Sequence, residues 1–156
     1  MLRSKILKGI LWVLFAAYIA LVLKLTVFRN QAAPIRSITV YPTIMLINIY
    51  KNIGLEYFSY MFFGNIGWFM PFGFILPLLI KKIDVKKILL LTFLFSLFIE
   101  ASQYMLMVGY TEIDDLILNT LGGLLGYLTL TKRKVFINSF NSNHSVKADL
   151  FKRLLA

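Results

Sequence analysis

The chain has 156 residues, of which 59% are hydrophobic and only 15% charged, with a mean hydropathy of +0.77 and a formal net charge of +10. The length suits one domain, and a soluble domain carries about a quarter charged residues, so the composition points to a membrane-embedded protein. There is no cysteine, which excludes disulfides, thiol catalysis and Cys-ligated metal.

Crossing the hydrocarbon core as a helix takes roughly 17 to 20 mostly apolar residues. The first candidate span is Ile6–Val27. Arg3, Lys5 and Lys8 lead into it as they would into a secretory signal, but the run is long and Lys24–Arg29 offers no small-x-small cleavage site. A retained helix is the expectation. In the loop Phe28–Ser59, the stretch Thr43–Tyr50 is apolar, too short to span, and preceded by Pro42. Three readings stay open for it: a segment lying at the interface, one re-entering between helices, or an ordinary outer loop. The remaining candidate spans are Tyr60–Ile80, Ile88–Gln103 and Ile113–Leu130. Beyond Lys134 the chain turns polar and ends in a short basic amphipathic run, Val146–Leu155. The division expected is a transmembrane domain over 1–134 and a cytoplasmic basic tail over 135–156, able to rest on anionic lipid.

Basic residues favour the cytoplasmic side. They gather before the first span (Arg3, Lys5, Lys8), between the second and third (Lys81, Lys82, Lys86, Lys87), and after the fourth (Lys132, Arg133, Lys134, Lys147, Lys152, Arg153). The expectation is therefore an all-α, integral membrane four-helix bundle with both termini inside. Because the basic residues sit in linkers and tails, membrane attachment is favoured over nucleic-acid binding.

Polar residues are rare in the spans and gather toward the outer side. Ser96, Glu100 and Gln103 share one face of the third span, at i, i+4 and i+7. Asp115, Asn119, Gly122 and Gly126 share one face of the fourth, with Asp114 and Gly123 beside them. Glycines so spaced let a neighbouring backbone approach closely. The second span brings Asn65 and then Pro71, Gly73 and Pro77. Each proline removes a backbone donor and clashes with a carbonyl one turn earlier, so kinks are expected there, together with freed carbonyls that a ligand or water could use. Asn65, Ser96, Glu100, Gln103, Asp114, Asp115 and Asn119 thus form the candidate polar pocket. An ionisable residue inside a span is costly and marks a functional site by default. Two bland readings stand beside this one: Asp114 and Asp115 at a helix start complement its positive end, and the rest could form a closed structural network.

Several chemistries are disfavoured. The single histidine, His144, lies in the tail, which argues against Ser-His hydrolysis or a His-ligated metal. No Gly-rich phosphate loop is present, and the carboxylate spacing matches no known metal cage, so neither cofactor nor metal is expected.

Three ordered motifs resemble the VanZ-like family of small bacterial membrane proteins. Gly64–Pro77, with Asn65, Pro71 and Gly73, is similar to an N-x-x-x-F-x-P-F-G-F segment; Ser96–Gln103 is similar to S-x-x-x-E-x-x-Q. Ile113–Tyr127 resembles D-D-x-x-x-N-x-x-G-x-x-x-G. Members of the family commonly carry an arginine shortly before the Asp-Asp pair, where this chain reads Gly109-Tyr-Thr-Glu-Ile113. Arg29, Arg36 or Lys51 would have to substitute. The resemblance implies a bacterial plasma-membrane protein linked to reduced susceptibility to glycopeptide antibiotics, teicoplanin above all, without implying a mechanism.

Three functions fit these readings. The first is a non-enzymatic outward pocket for an amphiphile, either a lipoglycopeptide or a lipid-linked wall precursor, with membrane lipid as the standing partner. The second is an enzyme on a lipid-linked envelope substrate, with Glu100 and Asp115 as an acid/base pair. The third is a small proton-coupled transporter using the same carboxylates. The oligomeric state is not legible.

Overall fold

The computed structural model describes residues 5–28 and 38–132, and these are helical almost throughout. Helix α1 runs Lys5–Thr26, the short α2 Ile44–Asn52, α3 Leu55–Leu79 and α4 Val85–Leu106. A fifth helix, α5, covers 113–132. Three of them, α1, α3 and α4, are long and apolar enough to cross a membrane. The expected cytoplasmic tail, and Arg29 and Arg36, lie outside the described residues.

The helices start earlier than the apolar runs do. Helix α3 begins at Leu55 rather than Tyr60, because Glu56 in its first turn suits the positive helix end. Helix α4 begins at Val85 rather than Ile88: the Asp84 side chain caps it by accepting from the Lys87 backbone N–H at 2.8 Å. Hydropathy alone cuts off such polar first turns. Helix α3 also runs unbroken through both Pro71 and Pro77.

An aromatic seam joins α1, α3 and α4. Phe15 meets Phe72 at 5.5 Å between ring centroids, and Phe72 stacks on Phe95 at 5.5 Å. Leu76, Leu79 and the fully enclosed Ile88 extend this core toward one end; Val22, Phe69 and Ile99 extend it toward the other. The outer surface is equally apolar, with Trp12, Phe63, Phe98 and Ile117 exposed. Lipid tails are as apolar as leucine, so such a surface costs nothing in a bilayer. Hydroxyls in the helices are silenced locally: those of Thr26, Thr92, Ser102, Thr120 and Thr129 each donate to the carbonyl four residues earlier.

The packing of α5 is backbone on backbone. A Cβ built on Gly122 would collide with the Ile66 carbonyl, one on Gly126 with the Met70 carbonyl, and one on Gly73 with the backbone of Gly123. Gly123 in turn faces the Thr92 side chain. No side chain fits between α3 and α5 at these points.

A feature absent from the all-α expectation is a two-residue parallel bridge. Strand β1 (Ile38–Thr39) pairs with β2 (Thr111–Glu112), Ile38 opposite Thr111 and Thr39 opposite Glu112. It ties the segment before α2 to the turn between α4 and α5. That turn begins at Met107, which adopts a left-handed conformation (φ 55°) and ends α4.

Candidate functional site

The polar residues gather where the C-terminal ends of α1 and α4 meet the N-terminal parts of α3 and α5. Gln103, in the last turn of α4, donates from Nε2 to the carbonyl of Thr26, the last residue of α1, at 3.3 Å. Asn65 of α3 donates from Nδ2 to Oδ1 of Asp115 in the first turn of α5 at 2.5 Å. Between these two contacts lies a cavity of about 300 Å³. Asn65, Asp115, Gln103 and Thr26 supply its polar wall; Val22, Leu25, Tyr60, Met61, Gly64 and Trp68 supply the rest.

Glu100 and Asp114 sit beside this cavity and grip loop backbone. Oε2 of Glu100 accepts from the Glu112 backbone N–H at 3.1 Å, and the Thr111 hydroxyl donates to the Glu100 carbonyl at 3.2 Å. Oδ1 of Asp114 accepts from the Thr43 backbone N–H at 2.7 Å. Thus Asp114 does not merely complement its own helix. It anchors the entry to α2, where Thr43 holds a left-handed conformation (φ 67°). Glu100 and Asp114 are each 4% exposed and turn into the protein. Deeper in the bundle, Asn119 donates from Nδ2 to the Ser96 hydroxyl at 2.9 Å, with both residues buried.

The seven candidate pocket residues therefore fall into three groups. Asn65, Gln103 and Asp115 line the cavity; Glu100 and Asp114 hold the β1–β2 and α2 segments; Ser96 and Asn119 form a hydrogen-bonded pair below. The two prolines separate similarly. Pro71 lines an apolar notch of about 470 Å³ with Gly67, Phe74 and Gly126, whereas Pro77 lies further along, near the buried Leu76 and Leu79.

Three buried oxygens have no hydrogen-bond partner among the described residues: Gln103 Oε1, Asp114 Oδ2 and Asn119 Oδ1. All three are acceptors. A buried acceptor without a donor costs about 1–3 kcal/mol, so this region is built with spare capacity for a proton, a water or a donor group on a ligand.

Sequence reading missed Glu112. It is 6% exposed, and its carboxyl is pushed up to about 7, first by burial and then by the charges of Asp115 and Asp114. Nothing in Thr111-Glu112 distinguishes it from a solvated turn; its pairing with β1 and its contact with Glu100 of α4 appear only in the fold. Tyr60, Trp68 and Thr26 were missed for a similar reason, since they join the site across helices. Among the described residues no group of three or more His, Cys, Asp or Glu has the geometry to hold a metal ion.

A family model described as VanZ/LLP1 matches residues 15–137. The chain belongs to the VanZ/LLP1 family. With its three apolar helices, this makes it a membrane protein. It is similar to Protein VanZ of Enterococcus faecium, at 37% identity over 62 residues. That match spans 40% of this chain and 38% of the relative's length. No solved structure matches the chain. The VanZ/LLP1 match takes in α3, α4 and α5 whole, and so every candidate pocket residue and the glycine face that packs α5 on α3.

Proposed function

We propose that this VanZ/LLP1 protein is a multi-pass plasma-membrane protein whose outward-facing cavity binds an amphiphile and thereby lowers susceptibility to glycopeptide antibiotics. The occupant is either a lipoglycopeptide of the teicoplanin type or a lipid-linked wall precursor. The carrying observation is the cavity itself. It sets the Asn65–Asp115 pair and the unpartnered Gln103 oxygen opposite the apolar Val22 and Leu25 of α1, a helix whose outer face is apolar. Such a wall suits a ligand with one polar and one apolar end.

The proposed architecture is a four-helix bundle of α1, α3, α4 and α5, with the transmembrane domain over 1–134 and a cytoplasmic tail over 135–156. The contacts support alternating directions, since the C-terminal ends of α1 and α4 meet the N-terminal parts of α3 and α5. Charge then puts both termini and the Lys81–Lys87 linker inside, which turns the cavity outward. Helix α2, with Ile47 and Tyr50 exposed, fits an interfacial position at that outer side. Reporters fused after Asp84 and Ala156 should both read as cytoplasmic, and an external reading at either overturns the topology.

Binding is tested with the purified protein in nanodiscs and labelled teicoplanin. Saturable binding that Asn65→Leu weakens supports the pocket; its absence removes lipoglycopeptide as the ligand, and the same assay with a lipid-linked precursor tests the other. A second reading, an enzyme on a lipid-linked substrate, draws support from Glu112, whose carboxyl near 7 stands beside Asp114 and Asp115. Turnover of a purified lipid-linked precursor would favour it over simple binding.

A further inference from the structure

The apolar notch lined by Gly67, Met70, Pro71, Phe74, Gly126 and Thr129 takes no part in the polar site. Two missing side chains shape it. Gly126 lets α5 close on the Met70 carbonyl, and over Gly67 an added Cβ would meet nothing within 4 Å. Thr129 brings no free hydroxyl to it, since that group donates to the Leu125 carbonyl at 2.8 Å. The result is a concave apolar surface of about 470 Å³, open to one side.

Depth decides which leaflet reaches the notch. The hydrocarbon core is about 30 Å thick, so the chains of one leaflet cover about 15 Å, or about ten residues of an upright helix. Helix α3 ends at Leu79, and ten residues back from it stands Phe69. Met70, Pro71 and Phe74 therefore lie within the leaflet at this end, and Gly67 just beyond it. Helix α5 runs in the same direction, because Gly122 meets Ile66 and Gly126 meets Met70. The C-terminal ends of both helices thus share one membrane surface. Basic residues stand at that surface. Lys81 and Lys82 follow α3 directly and are exposed. Lys132 comes three residues after Thr129, which makes it the next neighbour on that side of α5, and it too is exposed. Basic groups between helices at a membrane surface attract anionic headgroups. An apolar groove with a basic rim at its headgroup end complements both halves of an anionic phospholipid.

We propose that the notch holds one acyl chain of an anionic phospholipid, drawn from the leaflet at the C-terminal ends of α3 and α5, with Lys81, Lys82 and Lys132 receiving its headgroup. This does not depend on what fills the polar cavity. Surrounding lipid is as apolar as the notch, so packing between the two helices holds the chain rather than exclusion from water. The lysines then select the headgroup.

The test is native mass spectrometry of the full chain, purified in detergent and given equal amounts of phosphatidylglycerol and phosphatidylethanolamine with identical acyl chains. The expected result is one retained lipid, with phosphatidylglycerol favoured by about fivefold for each lysine engaged. Replacing the three lysines together, Lys81→Gln, Lys82→Gln and Lys132→Gln, should bring the two lipids to parity. Gly67→Leu should expel both lipids, because its Cβ enters open space in the notch. Thr129→Phe, at an exposed position on the other wall, should do the same, so a folding defect in one variant leaves the other to decide. Equal retention of the two lipids by the native chain overturns the proposal, as does the absence of any retained lipid. Retention unchanged in whichever notch variant folds overturns the placement of the chain, and a preference that survives loss of the three lysines overturns their role.

Discussion

The Glu112 backbone N–H donates to Oε2 of Glu100 at 3.1 Å, so a carboxylate buried in α4 holds the strand that leads into α5. This contact bears on whether Glu100 serves as an ionisable group or as scaffold. Glu100→Gln keeps an acceptor in place and removes the titration, so the folded protein should accumulate normally. Glu100→Leu orphans the Glu112 N–H and should cost about 1–3 kcal/mol, read as a lower unfolding midpoint in detergent and reduced abundance. Teicoplanin susceptibility, measured with parallel protein quantitation, then separates the roles. Full function in the Gln variant would end the enzyme and proton-transport readings that rely on Glu100.

The glycine contacts between α3 and α5 predict a steric, not chemical, sensitivity. Gly122→Leu and Gly126→Leu drive a side chain into the Ile66 and Met70 carbonyls. Each should destabilise the bundle by about 1–3 kcal/mol or more. Gly67→Ala is the matched control, because its Cβ would meet nothing within 4 Å. Relief of glycine's backbone entropy should there give a gain of about 0.5–1 kcal/mol. Thermal unfolding of the three variants in one detergent checks the contrast.

Glu112 predicts a pH dependence of stability. Its carboxyl is raised from 4.5 to about 7 by burial and then by Asp115 and Asp114, so between those values the native state holds a proton that the unfolded state has released. Its contribution to stability is complete below about 4.5 and is lost as the pH rises through about 7. The unfolding midpoint should fall across that window in the native protein. Glu112→Gln, which cannot titrate, should flatten that part of the profile; an unchanged slope would show that another group sets it.

The parts of this fold visible in the sequence are those carried by local periodicity. The apolar runs mark α1, α3, α4 and α5, and the i, i+4 spacing puts Ser96 with Glu100, and Asp115 with Asn119, on faces that turn inward in the structure. What local spacing does not carry is which loop closes over which helix. The bond from Thr43 to Asp114 bridges 71 positions, and the β1–β2 bridge rests on two residues a side. Neither leaves a periodic trace, and the second brings Thr39 opposite Glu112. The same holds for the cavity: Asn65 and Gln103 are legible as polar residues in spans, but Tyr60, Trp68 and Thr26 become its walls only through helix packing.

The Asn65–Asp115 pair allows contact and charge to be tested apart. Asn65→Asp alone sets two carboxylates against each other on the cavity wall, and Asp115→Asn alone removes the charge. Each single change should lower stability. The double exchange, Asn65→Asp with Asp115→Asn, restores an amide-to-carboxylate hydrogen bond with the charge moved from α5 to α3. Residues in direct contact couple by about 0.5–3 kcal/mol, so the double variant should be more stable than the sum of the singles implies. Additive losses would show that the hydrogen bond contributes nothing to the fold. If the exchanged pair restores stability without restoring teicoplanin susceptibility to its native level, the carboxylate is required at the start of α5 and not merely somewhere in the wall.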